Sequence, residues 1–450
     1  MNILHYSLGV FPDRQGGLSR YSTDLSLEQG KRHNVIYLIP GKLGVLDKKV
    51  RIVKERYYKQ LDVYKIENAL PIPIYSGIKD VTAYTRPVDQ RIYEQFLLAH
   101  DIDIIHLHSL MGLHVELLRA ANKLRIPTFF TTHDFFGLCP ITKLFRDGQI
   151  CHNTCINGQC GVCSQNAHSY LALAVGQSAV YRKLKNNPII RELRKKELQS
   201  EDTSAAASAP QDCSTADESE YKKLDNYYRE IFSKINFFLF NSNQTREEFV
   251  KRLGELPGLV YPLVLPSIND HRKERTFMPD GVLRIGFMGE STDFKGFYFL
   301  KDAVEKLASL GCQIRLYVYN DTVSETPVVI RKGRYSPADL ESIYAGLDLI
   351  AVPSLLPETF SFVILEALSF AMPCLISDHV GIKDFLQDGV NGFVVPAGDS
   401  ESIEARLKYI CDHPEQLTLL NEQLCRLPIS FQFENHVEGL DQIYRNYNRE

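Results

Sequence analysis

The stretch PETFSFVILEALSFAMPCLIS, residues 357–377, decides how the rest of the chain is read. Phe360, Val363, Ile364, Ala367 and Leu368 recur at the three-and-four spacing of a helix with one apolar face, and a strand follows. Two carboxylates interrupt this pattern. Glu358 stands just ahead of the expected helix start, and Glu366 lies within it among residues expected to be buried. A buried carboxylate without hydrogen-bond donors costs on the order of several kcal/mol, so the pair asks for a partner.

Working outward, 450 residues suit two domains of about 200 residues each. A hydrophobic content of 44% with 24% charged residues is that of a globular protein, and a net charge of -4 argues against a dedicated nucleic-acid binder. No apolar run approaches the roughly 18 residues of a membrane span, and MNILHY reads as a strand instead of a signal peptide, so a cytoplasmic location is expected.

Strand-like and helix-like segments alternate from Met1 to about Val260. Ile3–Ser7, Asn34–Ile39, Ile102–Leu107 and Pro127–Thr131 read as strands, and Leu18–Lys31 and Leu113–Lys123 as helices. The alternation restarts after VYPLVLPS (Val260–Ser267), with strands expected at Val282–Met288 and Gln313–Tyr319 and a helix at Phe297–Ser309. Repeated units of this kind give α/β architecture with two Rossmann-like, doubly wound parallel sheets facing a cleft. The expected boundaries are 1–262, 263–430, and a last helix over 431–450 crossing back to the first domain. Residues 199–219, rich in Ser, Ala, Asp and Glu, read as a mobile insertion.

Ligands in such sheets bind at the carboxyl ends of the strands, so the loops there carry the chemistry. Gly16 and Gly17 directly precede a helix and leave backbone N–H groups open to an anion; a plain turn is the alternative. His133 and Asp134 follow the strand PTFFT, where the carboxylate either orients the imidazole or simply caps a helix. Lys295 and Gly296 open a helix where a cation and free N–H groups suit a diphosphate. In the fourth loop, a carboxylate accepts paired sugar hydroxyls in bidentate fashion, and Thr359, Phe360, Ser361 and Phe362 offer N–H groups beside it.

These four loops together resemble the retaining glycosyltransferases of family 4, which have the GT-B fold. GGLSRY, THD, Lys295–Gly296, the E-x7-E spacing of Glu358 and Glu366, and GVNGFVVPAGD (Gly389–Asp399) carry the resemblance over nearly the whole chain. It implies that His133, Asp134 and Glu358 form the catalytic centre, with Glu358 on donor-sugar hydroxyls. It further implies that Glu366 holds the nucleotide ribose, Lys295 neutralises the diphosphate, and Gly16 and Gly17 line the phosphate and acceptor side. Retention in this family is explained by front-face attack without an enzymic nucleophile. Many relatives carry arginine where Glu290 stands, which leaves Lys295 alone with the diphosphate or helped by Arg331, Lys332 or Arg334. Thr359 and Ser361 stand where glycines are usual. The donor is expected to be of UDP or GDP type and the acceptor a glycan or lipid-linked glycan, in making a cell-surface polysaccharide or glycolipid. Two other readings stand beside this one: a weakly active GT-B subunit that binds a partner or glycan, and a sugar-nucleotide epimerase.

No catalytic metal is expected; the DxD at Asp101–Asp103 leads into a strand and receives no metal role. Cys151, Cys155, Cys160 and Cys163 have spacings suited to one tetrahedral structural zinc, or are reduced thiols packing a compact loop within 139–163. RKLKNNPIIRELRKK (182–196) combines basic and apolar residues, as a segment docking on anionic lipid does, and as a solvated helix face also does.

Overall fold

Apolar runs without alternation, such as IIHL at Ile104–Leu107 and LIAV at Leu349–Val352, are buried at every position. Strands covered on both faces have that signature, and parallel sheets are built from them. The computed structural model describes residues 1–44, 47–73, 76–152, 159–178 and 215–447. The first sheet comprises β1 (Asn2–Tyr6), β2 (Asn34–Pro40), β3 (Arg51–Tyr58), β4 (Leu61–Glu67), β5 (Ile104–Leu107) and β6 (Thr128–Thr131). After a two-residue hairpin, β7 (Phe145–Arg146) and β8 (Gln149–Ile150), it is completed by β9 (Phe237–Phe240) and β10 (Gly258–Val260). Its order is β10-β9-β6-β5-β1-β2-β4-β3. All neighbours are parallel except β3, which pairs antiparallel with β4.

The second sheet is wholly parallel: β11 (Leu283–Phe287), β12 (Ile314–Val318), β13 (Val329–Arg331), β14 (Leu349–Val352), β15 (Cys374–Ser377) and β16 (Phe393–Val395). Its order is β13-β12-β11-β14-β15-β16. The strand order reverses about β1 in one sheet and β11 in the other, which opens a crevice at the carboxyl ends of both. The expected α/β architecture of two doubly wound parallel sheets is therefore the one observed.

Adjacent residues of one strand serve opposite faces. Ile3, Tyr37 and Phe129 join an apolar cluster that runs through Leu263–Leu265 into the second sheet around Leu283 and Ile350. Leu4, Ile105 and Phe238 belong to a separate cluster on the other face. The last helix, Phe433–Tyr447, lies on the first sheet, with the Tyr444 ring 4.8 Å from Phe129. Residues 179–214 lie outside the described residues. The helix Thr215–Ser233 begins within the segment read as an insertion, so that reading fails for residues 215–219. The charged hairpin partner β3 (RIVKERYY) was not expected as a strand. As an exposed edge it carries charge where a central strand carries apolar residues.

One glycine fixes how closely two loops approach. Gly296 has φ of 70°, and a Cβ there would lie 1.8 Å from the Pro353 carbonyl oxygen. The Gly296→Ala variant is expected to lose about 3 kcal/mol or more, because left-handed backbone and a backbone clash add. Urea denaturation with an unchanged midpoint would show that this approach is not required.

Candidate active site

Lys295 lies in a 3-10 turn, Asp293–Lys295, between β11 and the helix Phe297–Ser309. Thr292 Oγ1 accepts from the Lys295 amide at 3.4 Å, and the Phe294 carbonyl accepts from the Leu355 amide at 2.9 Å. The loop after β11 is thus tied to the loop after β14. Across this junction Lys295 Nζ donates to Glu358 Oε1 at 2.8 Å. The carboxylate is only 14% exposed while the lysine side chain is 42% exposed, so one cation reaches from the carboxylate into the cleft.

Glu358 is held by its backbone as well. Its amide donates to the His379 carbonyl and its carbonyl accepts from Gly381, both at 2.9 Å. The helix following it is shorter than expected: Phe362–Ser369, with Ser361 as its cap and Ser361 Oγ accepting from Ile364 N at 3.5 Å. Glu358 therefore sits four residues ahead of the helix, and Glu366 lies in its second turn. Ile364, Leu365, Ala367 and Leu368 are all buried, so the helix is enclosed nearly all round and has more than one apolar face.

Glu366 is buried with no hydrogen bond to its carboxylate among the described residues. Burial pushes its carboxyl up to about 7, and nearby Arg20 opposes the shift. Between about pH 4.5 and 7 the folded chain keeps a proton that the unfolded chain has lost, so stability falls as pH rises through that window. The loss amounts to about 3 kcal/mol above pH 7. The Glu366→Gln variant is expected to melt several degrees higher at pH 8 and nearly unchanged at pH 5. Equal shifts at both pH values would show that the carboxyl is not desolvated.

The opposite wall comes from the first sheet. His133 follows β6, and its carbonyl accepts from Thr359 Oγ1 at 2.8 Å, so the two walls touch beside Glu358. Its ring is neutral at pH 7, since burial drives the imidazole down to about 3. His133 Nε2 lies 3.3 Å from His108 Nδ1. No hydrogen bond joins Asp134 to that ring among the described residues: Asp134 Oδ1 accepts from the Phe136 amide at 2.9 Å within a turn, no helix follows for it to cap, and burial raises its carboxyl to about 6.

Gly17 opens the helix Gly17–Gln29, and a Cβ there would lie 2.9 Å from the Phe362 ring. Phe362 thus contributes a side chain, and Gly17 is small because of it. Gly16, with φ of 121°, has open space at the same test. Phe360 stacks edge-on to Phe362 at 5.7 Å.

Arg331, Lys332 and Arg334 have other partners. Arg334 pairs with Asp321 at 2.7 Å and Arg331 lies 3.9 Å from Glu325, while Lys332 sits over the Tyr317 ring. Glu290 is exposed. Two cations not singled out in the sequence do cross the cleft. Arg20 donates to Ser267 Oγ at 2.7 Å, and Lys143 Nζ lies 4.0 Å from the Phe294 ring centroid. Arg20 was within the quoted GGLSRY; nothing local marks Lys143.

Behind His133, the ligand atoms of His5, His106 and His108 lie within 4.8 Å of one another and all three rings are buried. Both nitrogens of each ring are already in hydrogen bonds, so a cation there would have to displace them. Cys139, Cys151, Cys160 and Cys163 are half-buried, and Cys155 lies outside the described residues.

With this geometry in view, residues 15–150 match the family model "Glycosyltransferase Family 4", and residues 282–413 match "Glycosyl transferases group 1". The chain belongs to the GT-B glycosyltransferases. Among curated relatives, a GDP-mannose-dependent alpha-mannosyltransferase of Mycobacterium tuberculosis is 29% identical over 142 residues, covering 30% of this chain and 36% of that protein. A lipopolysaccharide 1,2-N-acetylglucosaminetransferase of Salmonella typhimurium is 25% identical over 203 residues, covering 40% and 52%. A putative glycosyltransferase, EpsD, of Bacillus subtilis is 26% identical over 98 residues, covering 22% and 26%. The matched stretches thus span about a quarter to a half of the curated relatives' length. Among solved structures, HepE of Anabaena in complex with UDP aligns over 99% of this chain and 100% of its own, with TM-score 0.59 and 14% identity. Sucrose-phosphate synthase of Thermosynechococcus elongatus aligns over 100% and 99%, with TM-score 0.56 and 14% identity. These two GT-B neighbours support the shared fold.

Proposed function

We propose that this glycosyltransferase moves a sugar from a nucleotide-sugar donor to a glycan or lipid-linked acceptor, with retention of configuration, in making a surface polysaccharide or glycolipid. The observation that carries the reading is the Lys295–Glu358 pair at 2.8 Å, at the carboxyl ends of β11 and β14 and facing His133 across Thr359. Glu358 accepts hydroxyls of the sugar, and Lys295 meets the diphosphate whose negative charge grows as the glycosidic bond breaks. Glu366, in the second turn of the following helix, accepts the two ribose hydroxyls. The neutral His133 contacts the sugar from the other wall, Gly16 lines the acceptor side, and Asp134 supports the turn that carries His133. The leaving phosphate accepts the acceptor's proton, so the reaction uses neither an enzymic nucleophile nor an obligatory metal.

The test is a thermal-shift screen of UDP- and GDP-sugars followed by a transfer assay. A ligand at 100 times its dissociation constant stabilises by about 2.7 kcal/mol, which is easily read. Stabilisation by one base series, with product of retained anomeric configuration, supports the proposal; no stabilisation by any nucleotide sugar overturns it. Glu290 favours a second reading, a weakly active partner- or glycan-binding subunit, which nucleotide release by the isolated protein excludes.

Two accessory roles belong to the same proposal. Cys151, Cys155, Cys160 and Cys163 hold a structural zinc, and elemental analysis below one metal per chain ends that idea. Residues 182–196, outside the described residues, dock on anionic membranes, and liposome sedimentation independent of anionic lipid ends that one. Among the described residues no helix is long and apolar enough to cross a membrane.

A further inference from the structure

A buried hydrogen-bonded chain links His133 to the last helix of the molecule. Asp441 lies in the helix Phe433–Tyr447 and is 1% exposed. Its carboxylate receives Arg32 at 3.1 Å, His33 at 3.0 Å and Gln29 Nε2 at 2.7 Å. From Gln29 the chain continues through Oε1 to His5 Nε2 at 2.8 Å, His5 Nδ1 to His108 Nε2 at 3.0 Å, and His108 Nδ1 to His133 Nε2 at 3.3 Å.

The direction of every bond follows from the first. A carboxylate paired with a guanidinium only accepts, so the Gln29 amide must turn its nitrogen to Asp441 and its oxygen to His5. His5 Nε2 must then carry the hydrogen. Burial pushes His5 down to about 4 and His108 well below its ordinary value, so each ring is neutral and holds one hydrogen. His5 Nδ1 therefore accepts from His108 Nε2–H, and His108 Nδ1 accepts from His133 Nε2–H. A neutral ring with one nitrogen protonated presents a lone pair at the other. His133 Nδ1 makes no hydrogen bond to any described residue. Beside this chain the Tyr444 hydroxyl meets His106 Nδ1 at 2.6 Å, and His106 Nε2 meets Thr131 Oγ1 at 2.7 Å.

We infer that Asp441 sets the tautomer of His133 through Gln29, His5 and His108, so that His133 meets the sugar as a hydrogen-bond acceptor through Nδ1. This rests on the proposed contact between His133 and the sugar. Asp441, Gln29, His5 and His108 are positioning residues, and the docking of the last helix on the first sheet becomes a condition for the catalytic geometry.

The experiment uses the full chain with ¹⁵N-labelled histidine and long-range proton–nitrogen correlation, which reads the protonated nitrogen of each ring. His133 is assigned by its loss in His133→Ala. Wild-type His133 should be protonated at Nε2. In Gln29→Leu both tautomers of His133 should appear, while His436, whose Nε2 bonds Tyr21 outside the chain, keeps its signal and certifies the fold. Turnover should fall by about 10- to 100-fold, the range typical of removing a group that orients a histidine, with the donor KM within about twofold. In Gln29→Glu the new carboxyl group shares a proton with Asp441 and offers His5 the same oxygen, so a single tautomer and most turnover return.

A wild-type His133 protonated at Nδ1, or a Gln29→Leu protein with the wild-type tautomer, overturns the inference. So does a mixed tautomer with wild-type turnover, provided His133→Ala is impaired. Wild-type transfer by His133→Ala overturns the sugar contact instead, and the two failures are thereby told apart.

Discussion

Replacing Glu358 with glutamine is expected to lower kcat/KM for transfer by about 100- to 1000-fold, with the melting temperature nearly unchanged. The carboxylate is mostly shielded and its backbone is pinned to His379 and Gly381, so the side chain points to one place in the cleft. Hydrogen bonds from neutral hydroxyls to an ionised acceptor contribute roughly 1.5–3 kcal/mol each, and a bidentate pair contributes twice, less some overlap. Glutamine keeps the shape and one acceptor but turns a donor toward a hydroxyl that must donate. The loss of the ion pair to Lys295 costs little stability, because the lysine is 42% exposed and solvent screens such pairs to about 1 kcal/mol or less. Steady-state kinetics beside a thermal melt checks both halves. A near-normal rate in a folded Glu358→Gln protein would refute the assigned role.

Removing the Lys295 ammonium, in Lys295→Ala, is expected to lower kcat by about 100- to 1000-fold, the cost of deleting one charge-stabilising group at a reacting centre. The effect should fall more on kcat than on KM, because diphosphate charge is greatest when the glycosidic bond is breaking. No basic residue of the 331–334 segment substitutes for it: Arg334 is taken up by Asp321, Arg331 lies near Glu325, and Lys332 covers the Tyr317 ring. Among the described residues, Lys143, over the Phe294 ring on the same loop, and Arg20 also send their side chains across the cleft nearby. A fast Lys295→Ala enzyme that slows only on the further change Lys143→Ala would reassign the diphosphate to Lys143. Arginine at 295 should restore little, since a planar guanidinium does not replace a compact ammonium at a fixed loop position.

Much of this candidate site is legible in the sequence. Strand ends are marked by apolar runs that stop at Gly, Pro or charge, and parallel sheets place those ends along one crevice. Gly16, His133, Lys295 and Glu358 were therefore singled out one loop at a time. Asp134 was read as orienting His133 or as capping a helix; its carboxylate instead accepts from the Phe136 amide in a turn, and no helix follows. The helix start was misjudged by several residues, because Ser361 caps a helix that the apolar spacing alone extends back to Phe360.

By itself the sequence determined what depends on neighbours in the chain: the alternation of strands and helices, the carboxylates eight residues apart, and the small residues before helices. Pairings between residues far apart in the chain were decided only in three dimensions. Lys295 meets Glu358 because Gly296 lets β14 come close; Phe362 covers Gly17; and Asp441 reaches Gln29 across 412 positions. Such contacts leave no periodic trace, since each partner is polar or small for a reason that lies on another element. His5, His106 and His108 show the limit most plainly. In sequence they are lone polar residues within apolar strands, and only the packing of β1 against β5 under the last helix joins them to His133.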